Sequence, residues 1–306
     1  MFLATPHFHT SSQVSLKGDR STASLGQGAS KANKPYKAVV YVYLAGGLDS
    51  FNVLVPKSGC EDKDLYSEYA LVRGEEVALD KGELLDIEAS GQPCATFGLH
   101  PELRATQQLY NEGDAIFMAN VGNLVVPYTK NSGAQTPAGL FAHNLQTRGL
   151  LTNRPQDAAT TGVLGRTLDD LTSQGYTGAS YSVNGNTVLL TGDQNTPDIL
   201  DRTRGATVLD HKPISPNVAP AINKLTKNVH SNLADIYAGS TSYAINRSIE
   251  LSEILGKSEL EQPFEATGKL AEQLQQVAKL MQARTDLGAN RNAFYAELGG
   301  FDTHDD

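Results

Sequence analysis

The pattern of apolar and polar positions changes period several times along the chain. "KAVVYVYLAGG" (37–47) is an unbroken run of apolar, β-branched and aromatic residues closed by two glycines. A run without alternation suits burial on both faces, which predicts a central strand. From Cys60 to Ile87 charge is scattered and the period is weak, which predicts a loop-rich surface excursion. In "LHPELRATQQLYNEGDAIFMANVG" (99–122), Pro101 suits a first helical turn, Gly113 ends that helix, and "AIFMANVG" predicts a second buried strand. "TPAGLFAHNLQTRGLLTN" (136–153) reads as a loop leading into a helix, and "VLGRTLDDLTSQG" (163–175) as a short helix stopped by Gly175. Asn-Gly between the strand-like halves of "YSVNGNTVLLTG" (181–192) signals a hairpin. Helix formers with apolar residues at three- and four-residue spacing dominate from Asn217 to Leu287, and "AFYAELGG" (293–300) is a strand running into glycines. This order predicts a mixed α/β fold with sites at the carboxyl ends of strands.

Composition narrows the function classes. The 306 residues are 40% hydrophobic and 19% charged, ordinary for a globular chain. A net charge of −9 and the lack of a basic stripe argue against nucleic acid as a partner. No apolar run approaches the roughly 18 residues of a transmembrane helix. Residues 1–36 are rich in Ser, Gly, Lys and Ala and show no readable secretory signal; they predict a disordered leader before a domain over 37–306. Cys60 and Cys94 allow one disulfide or two thiols.

Candidate chemistry gathers at two glycine turns. In "AGGLDSFN" (45–52) the paired glycines permit positive φ and a close backbone approach, and Asp49 follows at the carboxyl end of the first strand. The bland alternative is an Asp that caps its own turn. A sharper rival is a PP-loop ATP pyrophosphatase, since "GGLDS" is similar to that family's SGGxDS loop. Ala45 replaces its leading Ser, and β-rich "FNVLVP" follows where that family needs a helix to aim at phosphate. "ELGGFDTH" repeats the order of strand, Gly-Gly, apolar residue, Asp. Asp302 and His304, two apart, share a face of an extended segment and suit zinc or a similar divalent ion, although three or four ligands are needed for a site. Parallel neighbouring strands would bring Asp49 and Asp302 together, as at a binuclear metal centre.

"VVYVYLAGGLDSFNVLVP", "FGLHPELRATQQLYNEGDAIFMANVG", "LFAHNLQTRGLLTN" and "ELGGFDTHDD" together resemble, in order, the signatures of the domain of unknown function 1501 family, from about Lys37 to the last residue. That family is related to the alkaline phosphatase and sulfatase superfamily. The resemblance implies a three-layer α/β/α sandwich and metal-dependent hydrolysis of a small phosphate or sulfate ester, by a family often exported. It implies metal ligation by Asp49, Asp302 and His304, and places His143 near the reacting group, at a helix start where an anion is welcome. The family usually carries Ser before that His; here it is Ala142. Its later "SEFGRT"-like and "DHG" segments do not occur before Asp306, so a C-terminally truncated chain with an incomplete metal set is expected. A non-catalytic binding or surface relative of the same fold is the alternative.

Overall fold

A computed structural model describes residues 34–61, 63–119, 121–122, 142–154, 159–206 and 232–302, apart from the side chains of 232–235 and 238. The fold is mixed α/β, with one parallel and one antiparallel sheet in two compact units. One unit holds the described parts of Gly46–Gly122 and Gly300–Asp306; the other holds those of Arg20–Ala45 and Asn123–Gly299.

The larger unit is built on β1 (Lys37–Leu44), β5 (Gly178–Ser182), β6 (Asp198–Ile199) and β7 (Arg291–Leu298), in the order β1-β7-β5-β6. All neighbours are parallel, and β1 and β7 pair in register from Lys37↔Arg291 to Leu44↔Leu298. The apolar runs of β1 and β7 therefore form strands as their sequences predict. Only β7 occupies the centre, where Phe294 and Ala296 are fully buried. β1 is an edge strand among the described residues, with Val39 52% and Val42 40% exposed. That corrects its expected central position.

Each face of this sheet carries helices. Phe294, Tyr181, Val183 and Ala296 pack on α5 (Asn232–Lys257) and α6 (Lys269–Gln282) through Leu251, Val277 and Leu280. Ala293 and Tyr295, the opposite pleat, pack on α3 (His143–Thr152), α4 (Val163–Ser173) and a 3-10 turn at Val188–Leu190. The expected hairpin at 181–192 does not form. β5 already has parallel partners on both sides, and Leu189 and Leu190 are buried consecutively, which a strand alternating between faces does not achieve. Asn184-Gly185 forms a turn, with Gly185 at φ 72°, but it leads into the 3-10 turn.

The smaller unit contains the antiparallel sheet β2-β4-β3: β2 (Leu54–Cys60), β4 (Cys94–Leu99) and β3 (Leu85–Glu88). The acidic stretch read as loop-rich instead carries α1 (Leu65–Arg73) and β3. Asp64 caps α1, accepting from the Ser67 amide at 3.1 Å, and Tyr69 packs inward with Val55 and Leu84. Tyr66 and Ala70 pack against the same cluster, and so short a stretch within scattered charge leaves little periodic signal. α2 (Arg104–Glu112) ends at left-handed Gly113 as its sequence predicts. "AIFMANVG" is not a strand: the described residues of 115–122 have no regular structure, and Ile116 and Val121 are exposed.

Cys60 and Cys94 are cross-strand partners and form a disulfide. It closes a sequence separation of 34 residues, which on loop-closure entropy stabilises by about 3–4 kcal/mol. Reduction under non-denaturing conditions should lower the urea midpoint of this unit, while a Cys60→Ser, Cys94→Ser variant becomes insensitive to reductant. Equal midpoints with and without reductant would show that the bond does not constrain the unfolded chain.

Candidate functional site

Both Gly-Gly turns follow parallel strands that end level with each other, at Leu44 and Leu298. Gly46 and Gly47 take φ 111° and 92°, and Gly300 takes φ 101°, conformations that glycine adopts without strain. The two turns meet within the smaller unit. A Cβ on Gly46 would lie 2.7 Å from the Asp302 amide nitrogen and 3.1 Å from the Phe301 carbonyl carbon. The glycine is thus what lets the first turn press directly against the backbone that carries Asp302. Parallel pairing of β1 with β7 thus sets Gly46 of one turn against the Asp302 backbone of the other.

The first turn is fastened to α1. Arg73, in the last turn of that helix, donates from Nη2 to Oδ2 of Asp49. Its Nε is buried and has no hydrogen-bond partner among the described residues. Tyr69 donates to Asn52 Oδ1 at 2.5 Å, and Asn52 Nδ2 donates to the Val77 carbonyl at 3.0 Å. The loop therefore has a fixed shape, with the Asp49 side chain 36% exposed. Arg73 was missed in the sequence because a cation in the last turn of a helix has no local signature of a distant partner. The loop runs into β2 at Leu54 rather than into a helix, so a pyrophosphate cradle of the PP-loop kind lacks its helix N-terminus.

The other predicted residues are distributed as follows. His143 is the first residue of α3, is exposed, and belongs to the larger unit. Ala142 stands at its N-cap in extended conformation, with no side-chain bond to the helix. A Ser there would cap the helix and add about 1 kcal/mol. His304 lies outside the described residues. His100 serves a helix entry, accepting from the Glu102 amide at Nδ1 at 3.2 Å. Among the described residues no group of three or more His, Cys, Asp or Glu converges to hold a metal ion.

Glu297 is a second group that the sequence reading missed, although a lone carboxylate in an apolar strand just before Gly-Gly was visible. Its backbone is gripped by Gln273, which donates Nε2 to the Glu297 carbonyl at 2.8 Å and accepts the Glu297 amide at 2.9 Å. Tyr295 donates its hydroxyl to the Glu297 carboxylate. Tyr43, the register partner of Glu297, bonds Thr147 of α3 at 2.7 Å. Burial, then the bond to Glu297, raises Tyr295 above its ordinary range; burial and then Tyr43 push Tyr41 up to about 12. Tyr295 and Tyr41 stay protonated at neutral pH, and Tyr295 acts as a hydrogen-bond donor to Glu297 rather than as a base.

No protein-family model, characterised protein or solved structure matches the chain.

Proposed function

We infer that the chain is a metal-dependent hydrolase of phosphate or sulfate esters, on an alkaline-phosphatase-like sandwich. The observation that carries this reading is the packing of Gly46 against the backbone of Asp302, which sets two carboxylate-bearing turns side by side. The donor chemistry fits a divalent cation such as zinc: hard carboxylate oxygens on glycine-shaped turns, at the carboxyl ends of adjacent parallel strands. Asp49 and Asp302 would hold the ion, with His304 added on the strength of the family resemblance. Such an ion polarises the ester oxygen and offsets the charge that develops on it. The chain's own contribution is positional: β1 and β7 fix the turns in register, and α1 holds the Asp49 loop through Arg73 and Tyr69. A role for His143 beside the reacting group rests on the resemblance alone. Export to an oxidising compartment is supported by the Cys60–Cys94 disulfide.

One observation favours the non-catalytic alternative: Asp49 already has a cationic partner in Arg73. The two readings separate in one assay. Protein supplied with zinc or manganese is expected to turn over p-nitrophenyl phosphate or sulfate. Asp49→Asn and Asp302→Asn should each lower kcat/KM by at least about 100-fold without changing the far-UV spectrum, as expected on removal of a metal-holding charge. Absence of metal by elemental analysis, with no turnover, would leave the non-catalytic reading.

A further inference from the structure

The larger unit has a concavity at the amino ends of β1 and β7. α4 packs on β5 and β7, and a cavity of about 360 Å³ opens between α4 and the start of β1. Its floor is apolar: Val39 of β1, Ala293 of β7, and Leu164, Leu168 and Leu171 of α4. The volume falls in the range of small-molecule sites. The exposure of Val39 comes from this gap, since its neighbours on the same pleat, Tyr41 and Tyr43, pack into the core beside α3 and α4.

The rim supplies the second observation. Lys37 and Arg291 line the cavity and, among the described residues, no Asp or Glu does, in a chain whose net charge is −9. Neither cation forms an ion pair among the described residues. Arg291 is held in place rather than mobile: its guanidinium lies 4.1 Å from the centre of the Tyr176 ring, and Nη1 donates to the Pro35 and Asn290 carbonyls at 2.6 Å each. Those bonds fix the group without neutralising it. An apolar floor with an uncompensated, oriented cation at its mouth is complementary to one kind of molecule, a hydrocarbon tail ending in an anion.

We propose that the cavity between α4 and the amino ends of β1 and β7 binds a small amphipathic carboxylate, with the tail on Val39 and Leu168 and the head group between Lys37 and Arg291. The tail removes apolar surface from water, and the carboxylate gains charge-assisted hydrogen bonds at the half-exposed rim. The chain's own leader is a poor occupant, because residues 1–33 carry Lys17, Arg20 and Lys31 against Asp19 alone, the same sign as the rim. The site is independent of the hydrolase reading, since it shares no residue with the glycine turns.

Isothermal titration of the full chain with octanoate, beside the neutral 1-octanol, tests the proposal. One octanoate is expected to bind per chain, at least tenfold tighter than octanol. Lys37→Gln should weaken it severalfold and Val39→Asp, which sets a like charge on the floor, should abolish saturable binding. Both positions are exposed on β1, and unchanged thermal midpoints would show that neither variant acts through unfolding. Arg291→Gln should weaken octanoate about tenfold and leave octanol unchanged. The proposal is overturned if octanoate binds no better than octanol, if Val39→Asp binds like the parent, or if no saturable binding occurs. Light scattering that shows dimers dissociated by octanoate would make a second copy the occupant, and would overturn it as well.

Discussion

If the chain is the metal-dependent hydrolase proposed above, Gly46→Ala should remove most metal binding and ester hydrolysis while leaving the protein folded. Two costs coincide at this residue. A φ of 111° is strained for any L side chain, about 1–3 kcal/mol, and the new methyl would sit 2.7 Å from the Asp302 amide nitrogen. The second contact is with backbone, so no side-chain rotation relieves it. The two turns must separate by about an ångström, and misplacement on that scale is enough to cost about 100-fold in rate. Gly299→Ala is the matched control, because a Cβ there meets nothing within 4 Å. It should change stability by no more than about 0.5 kcal/mol and leave activity intact. Equal activity in both variants would mean that the contact between the turns is irrelevant to function.

Gly165→Ala is expected to have the largest effect on stability. Within α4 the intrinsic preference favours alanine, by up to about 1 kcal/mol. Packing opposes it more strongly: the added carbon would lie 2.2 Å from the Thr191 carbonyl carbon and 2.4 Å from the Gly192 nitrogen. Gly162 is pressed equally hard, with its Cβ position 2.0 Å from the Val188 carbonyl oxygen. The helix lies backbone to backbone on the 3-10 turn and cannot recoil without uncovering Leu168 and Leu189, both buried. Overpacking of this kind should outweigh propensity and cost about 3 kcal/mol or more. Urea unfolding followed by circular dichroism would register a midpoint lower by about 1 M or more. A midpoint that rises would mean propensity wins and α4 stands off the turn.

What was legible in the sequence was local. β1 and β7 announce themselves by unbroken apolar runs, and α2, α3 and α4 by their spacing and terminal residues, because these signals lie within one element. The repeated strand–Gly-Gly–Asp order was legible too, and parallel register carries Gly46 of the first turn onto the backbone of Asp302 in the second. Neighbours across the fold were not. Whether an apolar strand is central or at an edge depends on partners distant in sequence, so β1 reads as central and lies at the edge. "AIFMANVG" has strand-like residues but no described strand beside it; Phe117 contacts the Tyr110 ring of the preceding helix at 5.9 Å instead. Arg73 escaped notice because its significance is a contact with Asp49, 24 positions away, and nothing around it in the chain reports that.

The junction of Gly46 with Asp302 has a consequence for the order of folding. The contact joins segments roughly 250 residues apart, and closing a loop of that length costs on the order of 5 kcal/mol of chain entropy. During synthesis the Asp49 turn emerges early and waits for the segment that carries β7 and Asp302. β7, whose pairing with β1 across eight positions offsets that entropy, is made just before the second turn. Nascent chains halted before residue 291 should therefore protect the Cys60–Cys94 unit from protease while leaving the first glycine turn cleavable. Closure of that turn then becomes a marker that β7 has been made and paired.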